Sequence, residues 1–186
     1  MNLMAQSHKV QLAEASYAEN GYVELPSDNS LQEDLTELRE MLQNAMVLEH
    51  ATIPPYLTML YTLSEDTDWR ITETIRSVVV EEMLHFTLAA NLLNAIGGTP
   101  NVASAGFMPD YPATLPYGID AIEIHLYGFS RNAVFQAMVI EHPKDIRPAV
   151  VASEQPEKMT IGEFYAWIEA RLRAAVEKHG ELAIFC

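Results

Sequence analysis

The sequence predicts an all-α fold, a four-helix bundle with one long crossover between its second and third helices. Three observations predict it. Four segments repeat apolar residues at helical spacing. Shorter links join the first segment to the second and the third to the fourth. Between the second and third lie residues 98–127, rich in Pro, Gly and Tyr and without helical period, which is long for a connection inside one domain.

The first helix is expected from about residue 31 to 63. Ser30 and Glu33 stand as a capping box at its start. Leu35, Leu38, Leu42, Ala45, Glu49, Thr52 and Tyr56 then share one face. Pro54-Pro55 inside this stretch predicts a kink. Ser64 to Asp68 is a short polar turn, so the second helix, expected over about 69–96, should run antiparallel to the first. Its face holds Ile71, Ile75, Val78, Glu82, His85, Ala89, Leu92 and Ile96, and Gly97-Gly98 before Thr99-Pro100 stops it. Ile122 to Tyr127 alternates apolar and polar residues and reads as extended. A third helix over about 130–142 is capped by Ser130 and ended by Pro143, and a fourth runs from Thr160 to about 179, closed by Gly180. Simple up-down bundles have no long crossover and ferritin-like bundles have one, so the ferritin-like arrangement is the one expected. Residues 1–30 read as an irregular arm and 31–186 as the ferritin-like domain.

Composition narrows the function. A formal net charge of −15 repels phosphate backbones and anionic lipid, so neither nucleic acid nor a membrane is expected as partner. The single cysteine, Cys186, excludes an internal disulfide and a paired-cysteine zinc site and suits a reducing compartment. No apolar run reaches transmembrane length and no leader pattern opens the chain, so a soluble cytoplasmic protein is expected. No glycine-rich phosphate loop or nucleophile elbow occurs. The nine methionines read as core filler.

The chemistry-bearing residues lie on helix faces. Glu82 and His85 are three apart, so they share a face, and that face is apolar. An isolated Glu-x-x-His is more often a surface or hydrogen-bonded pair than a ligand pair. Glu49 raises its significance, because it too interrupts an apolar face, where lone glutamates are uncommon. Glu49 lies about fourteen residues before the end of its helix and Glu82 about thirteen after the start of the next, so both sit about 20 Å from the turn between them. Two interior acids at one level are costly without a cation, and a metal ion held by carboxylate and imidazole supplies one.

Glu141 at the end of helix 3 and Glu163 at the start of helix 4 meet at a second shared level. From spacing alone Glu163 is as much the cap of Thr160-x-x-Glu163 as a ligand. Glu169, two turns deeper, is its rival. The di-iron carboxylate pattern asks for two Glu-x-x-His pairs, and the second histidine is missing here. His50 and His142 read as supporting or structural residues, His179 is a spare, Glu81 faces solvent or Arg76, and Tyr56 and Tyr61 read as aromatic packing near Glu49.

These motifs together resemble one family. Leu48-Glu-His-Ala-Thr-Ile-Pro-Pro-Tyr56, Val80-Glu-Glu-Met-Leu-His85, Leu93-Asn-Ala-Ile-Gly-Gly98, Ile140-Glu-His-Pro143 and Thr160-Ile-Gly-Glu-Phe-Tyr165 are similar to the ferritin-like domain of iminophenyl-pyruvate dimer synthase, as in the violacein pathway. The resemblance spans about residues 31–178. It implies a metal site with Glu49, Glu82, His85, Glu141 and Glu163 as candidate ligands, and it weighs Glu163 toward the ligand role. Iron is the implied metal, as one ion or two, with manganese or zinc also accepted by such donors. The implied activity is oxidative coupling of imines of an aromatic 2-oxo acid.

The expected function is therefore a metal-dependent oxidoreductase of a small aromatic or imine metabolite in secondary metabolism. Its alternatives are a non-catalytic metal store or a scaffold that has lost catalysis. A small-molecule substrate is the expected partner, with a homodimer through an exposed helix face also expected. The 98–127 connection would cover the site and select the substrate.

Overall fold

The long apolar stripe of the first helix is the axis of the domain. In a computed structural model, which describes residues 29–116, 118, 123–142 and 160–185, α1 (Asn29–Tyr61) buries Leu35, Leu38, Leu42, Ala45, Glu49, Thr52 and Tyr56 along one face. It begins at Asn29, one residue before the expected start at Ser30. The arm expected over residues 1–30 falls, up to residue 28, outside the described residues.

The helix runs through Pro54-Pro55 without a break. Proline has no N–H, so Pro55 leaves the carbonyl of Ala51, four residues back, without its helical donor. The Tyr111 hydroxyl donates to that carbonyl at 2.7 Å. One residue of the long connection thus repairs the proline lesion and is anchored to α1 within a turn of Glu49.

α2 (Trp69–Ala95) starts at Asp68, whose carboxylate accepts from the Arg70 N–H at 2.9 Å. It lies antiparallel to α1, because the Arg39 guanidinium near the start of α1 donates to the Ile96 carbonyl at the end of α2, at 2.8 and 3.0 Å. Gly97 has φ +69°, a left-handed conformation that ends a helix at little cost only for glycine. The buried stripe is Ile75, Val79, Glu82, Ala89 and Leu93. It is turned slightly from the expected one, and Ile71 and His85 are exposed. The turn exists because α2 packs on α1 along one side only, while its other side borders an open cleft and its outer side exposes Val80, Leu84 and Leu88, the last at the rim of the cleft.

The crossover contains a two-stranded antiparallel sheet, β1 (Ala113–Thr114) with β2 (Glu123–Ile124), in the register Ala113 to Ile124. The extended reading over 122–127 thus survives as two paired residues. α3 (Arg131–Ile140) is capped by Ser130, which accepts from the Ala133 N–H. It is tied to the end of α1 by the Phe129 N–H donating to Thr62 at 2.7 Å. α4 (Ile161–His179) lies antiparallel to α1, with Lys178 and His179 both on Asp34 and Arg171 on Glu37. After Gly180, a short α5 (Glu181–Ile184) buries Ile184 and packs Phe185 on the core. The central α1 therefore has α2 on one flank and α3 and α4 on the other, and the cleft between those flanks opens over the middle of α1.

Candidate metal centre

Glu49 and Glu82 meet at the floor of this cleft. They are 2% and 5% exposed, because each occupies a position of its helix stripe that a leucine would otherwise fill. His85, one turn along α2 from Glu82, stands at the cleft wall with its side chain 48% exposed. Its Nδ1 is 3.5 Å from Glu49 Oε2 and 4.0 Å from Glu82 Oε1. One donor atom from each of the three lies within 4.8 Å of the others. Donors each about 2.1 Å from one ion lie about 3.4 Å apart in a tetrahedral set, so the three close on an ion with shifts of about an ångström or less.

The electrostatics ask for a cation. Among the described residues no Lys or Arg pairs with either carboxylate, and burial pushes Glu82 up to about 8, aided by the charges of Glu49 and Glu141. Burial raises Glu49 in the same sense, against the opposing hydrogen bond from Tyr165. Hydroxyl groups hold the pair in place. The Tyr165 hydroxyl from α4 donates to Glu49. Thr52 Oγ1 touches Glu82 Oε2 and also lies 2.7 Å from the Glu49 carbonyl. One hydroxyl proton cannot serve two acceptors, so both contacts are satisfied together when Glu82 is protonated and donates to Thr52. A divalent ion would replace that proton. Two buried carboxylates and one imidazole are a donor set that iron, manganese and zinc all accept, so the residues fit the group the fold implies.

Glu141 follows α3 and lines the same cavity as Glu49, Glu82 and His85, with Tyr56 donating to its Oε1 at 2.7 Å. It is a neighbour of the triad whose charge both carboxylates feel. Glu163 is placed otherwise. Its Oε2 accepts from the Thr160 N–H at 2.7 Å, while Thr160 accepts from the Glu163 N–H, so both halves of the capping box are formed. The Glu163 Oε1 takes no part in that cap. Glu169 pairs with Arg173 on the surface, and His179 with Asp34. His50 packs against Phe107 and Phe86 at ring distances of 5.0 and 6.1 Å, and burial lowers its basicity. Tyr61 is exposed, while Tyr56 is buried on the cleft floor.

Three residues of the site escaped the sequence reading in their roles: Thr52, Tyr56 and Tyr165. Thr52 and Tyr56 follow Glu49 by three and seven residues, which sets them on its helix face. That spacing was a usable signal. Nothing in the spacing pairs Tyr165 with a glutamate 116 residues away.

Similarity agrees with the geometry. No curated protein and no solved structure matches the chain. Residues 42–185, which include every residue of the triad and all of the cleft walls from Leu42 onward, match the family described as Ferritin-like. The chain belongs to the ferritin-like family.

Proposed function

We propose that the chain is a metal-dependent oxidoreductase, with iron as its metal, acting on a small aromatic or imine metabolite in secondary metabolism. The observation that carries this reading is the triad's position. Glu49, Glu82 and His85 sit at the floor of a cavity of about 410 Å³ that opens to the outside. Structural metal sites are closed by protein ligands, whereas catalytic ones leave a position for substrate. The motifs shared with the iminophenyl-pyruvate dimer synthase type support the substrate class.

In this reading Glu49, Glu82 and His85 hold the ion. A redox-active metal held there supplies electron transfer with dioxygen. The chain's own residues do the rest. Tyr165 orients Glu49, and Thr52 orients Glu82. Tyr56 holds Glu141 at the cavity wall, where its carboxylate can take a proton from a bound substrate. Leu42, Leu88, Leu92, Ile140 and Ile168 line the remaining wall and exclude water. Glu163 stays with its helix cap. A homodimer belongs to the same reading, through the exposed row Val80, Leu84 and Leu88; sedimentation showing only single chains removes it.

The test is elemental analysis of the freshly purified full chain beside Glu82→Ala. The expected result is about one or two iron or manganese ions per chain, lost in the variant, with oxygen uptake on a small aromatic imine. A chain that carries no metal and refuses added iron sinks the proposal.

A further inference from the structure

A second cavity, of about 700 Å³, adjoins the metal cleft, and Glu141 lines both. It runs beside α2 from Val78, one turn before Glu82, back to Arg70, a length of about 12 Å at the helical rise. Its walls are Met59 from α1, Ile75 and Val78 from α2, and Val134, Ala137 and Met138 from α3. Such a volume is in the range that small organic ligands fill.

The few polar groups of the lining decide what it takes. At the metal end stand Glu141 and Tyr56, with the Tyr56 hydroxyl already donating to Glu141. At the far end the Arg70 guanidinium forks onto Asp68, with Nε 3.0 and 3.1 Å from the two carboxylate oxygens and Nη2 on Oδ2. That pair stands in solvent, with side chains 74% and 39% exposed, so it provides no buried counter-charge for a ligand among the apolar walls. A carboxylate entering here would leave water for apolar walls and come up against Glu141, with which no Lys or Arg pairs among the described residues. An uncharged apolar body loses nothing by the same transfer and gains by burial.

We infer that this cavity binds an uncharged, predominantly apolar small molecule, one end of which reaches Glu141 beside the metal donors. The inference narrows the aromatic or imine class of the proposed function to its uncharged members, which leaves out an imine that still carries a carboxylate, and its catalytic meaning rests on that reading. Binding itself does not, because the cavity's walls are separate from the triad.

The test is calorimetric titration of the full chain with indole and with indole-3-acetate, which share a ring and differ in charge. Indole should bind, and indole-3-acetate should bind at least about tenfold more weakly. Thr74→Trp, at an exposed lining position, and Ala137→Phe should each weaken indole by about tenfold or more with metal content unchanged. Two variants guard against a folding failure in one. No binding of indole, equal binding of both probes, or indole affinity unchanged in both variants overturns the inference. So does a dimer that takes up indole only on dilution, since the cavity would then belong to a second copy. A chain that loads metal but ignores indole refutes this inference alone. One that binds indole but never metal refutes the proposed function and leaves the cavity standing.

Discussion

Replacing Glu82 by Gln should stabilise the metal-free chain at neutral pH while abolishing metal binding. Glu82 is 5% exposed, and burial moves its carboxyl from the ordinary 4.5 up to about 8. A native state that keeps a proton the unfolded chain has shed loses stability as pH rises. The contribution is fully present below about pH 4.5 and is lost as pH climbs toward 8. At about 1.4 kcal/mol per pH unit the loss reaches about 4 kcal/mol by pH 7.5, an upper figure because water entering the cleft relieves part of it. Gln has the same shape, can still bond Thr52, and does not ionise. Urea unfolding of chelator-treated wild type and Glu82→Gln from pH 5 to 8 reads the difference. Wild type should weaken across this window by a few kcal/mol more than the variant, with the two closest at pH 5. Added iron should then stabilise wild type and leave the variant unmoved. Parallel curves, or a variant less stable than wild type at pH 7.5, would refute the account of Glu82 as a buried acid that waits for a cation.

Two further substitutions probe the supports of the site. Tyr111→Phe removes the donor that serves the Ala51 carbonyl beside Pro55; urea unfolding should show a loss of about 1–3 kcal/mol, and no loss would mean water serves that carbonyl equally well. Glu163→Ala should cost about 1 kcal/mol through its capping box and leave metal stoichiometry at the wild-type value, whereas a lost ion would return Glu163 to the ligand set.

How much of the site was legible depended on how local each relation is. The level of Glu49 and Glu82 followed from a short turn and a fixed rise per residue, and the structure brings their carboxylates together with His85. The capping box of Thr160 and Glu163 was equally visible, since it closes within four residues. The outcome of its competition with a ligand role was not, because that depends on where α4 sits against α1. The helix start read at Ser30 is one residue late, since α1 already includes Asn29. The helix continues through Pro54-Pro55 as its apolar period implied, and the phenol that serves the carbonyl left by Pro55 comes from a distant segment that no local pattern names.

The sequence by itself determined the helices, the crossover and the acids that interrupt apolar stripes, because helical periodicity and proline and glycine stops are properties of neighbouring residues. Only the tertiary structure decided that Tyr165 holds Glu49, that Tyr56 holds Glu141, and that α2 leaves His85 half exposed over a cleft with an apolar cavity beside it. These relations join helices far apart in the chain. They are set by how the flanks of α1 pack, a balance of side-chain volumes that no local pattern encodes.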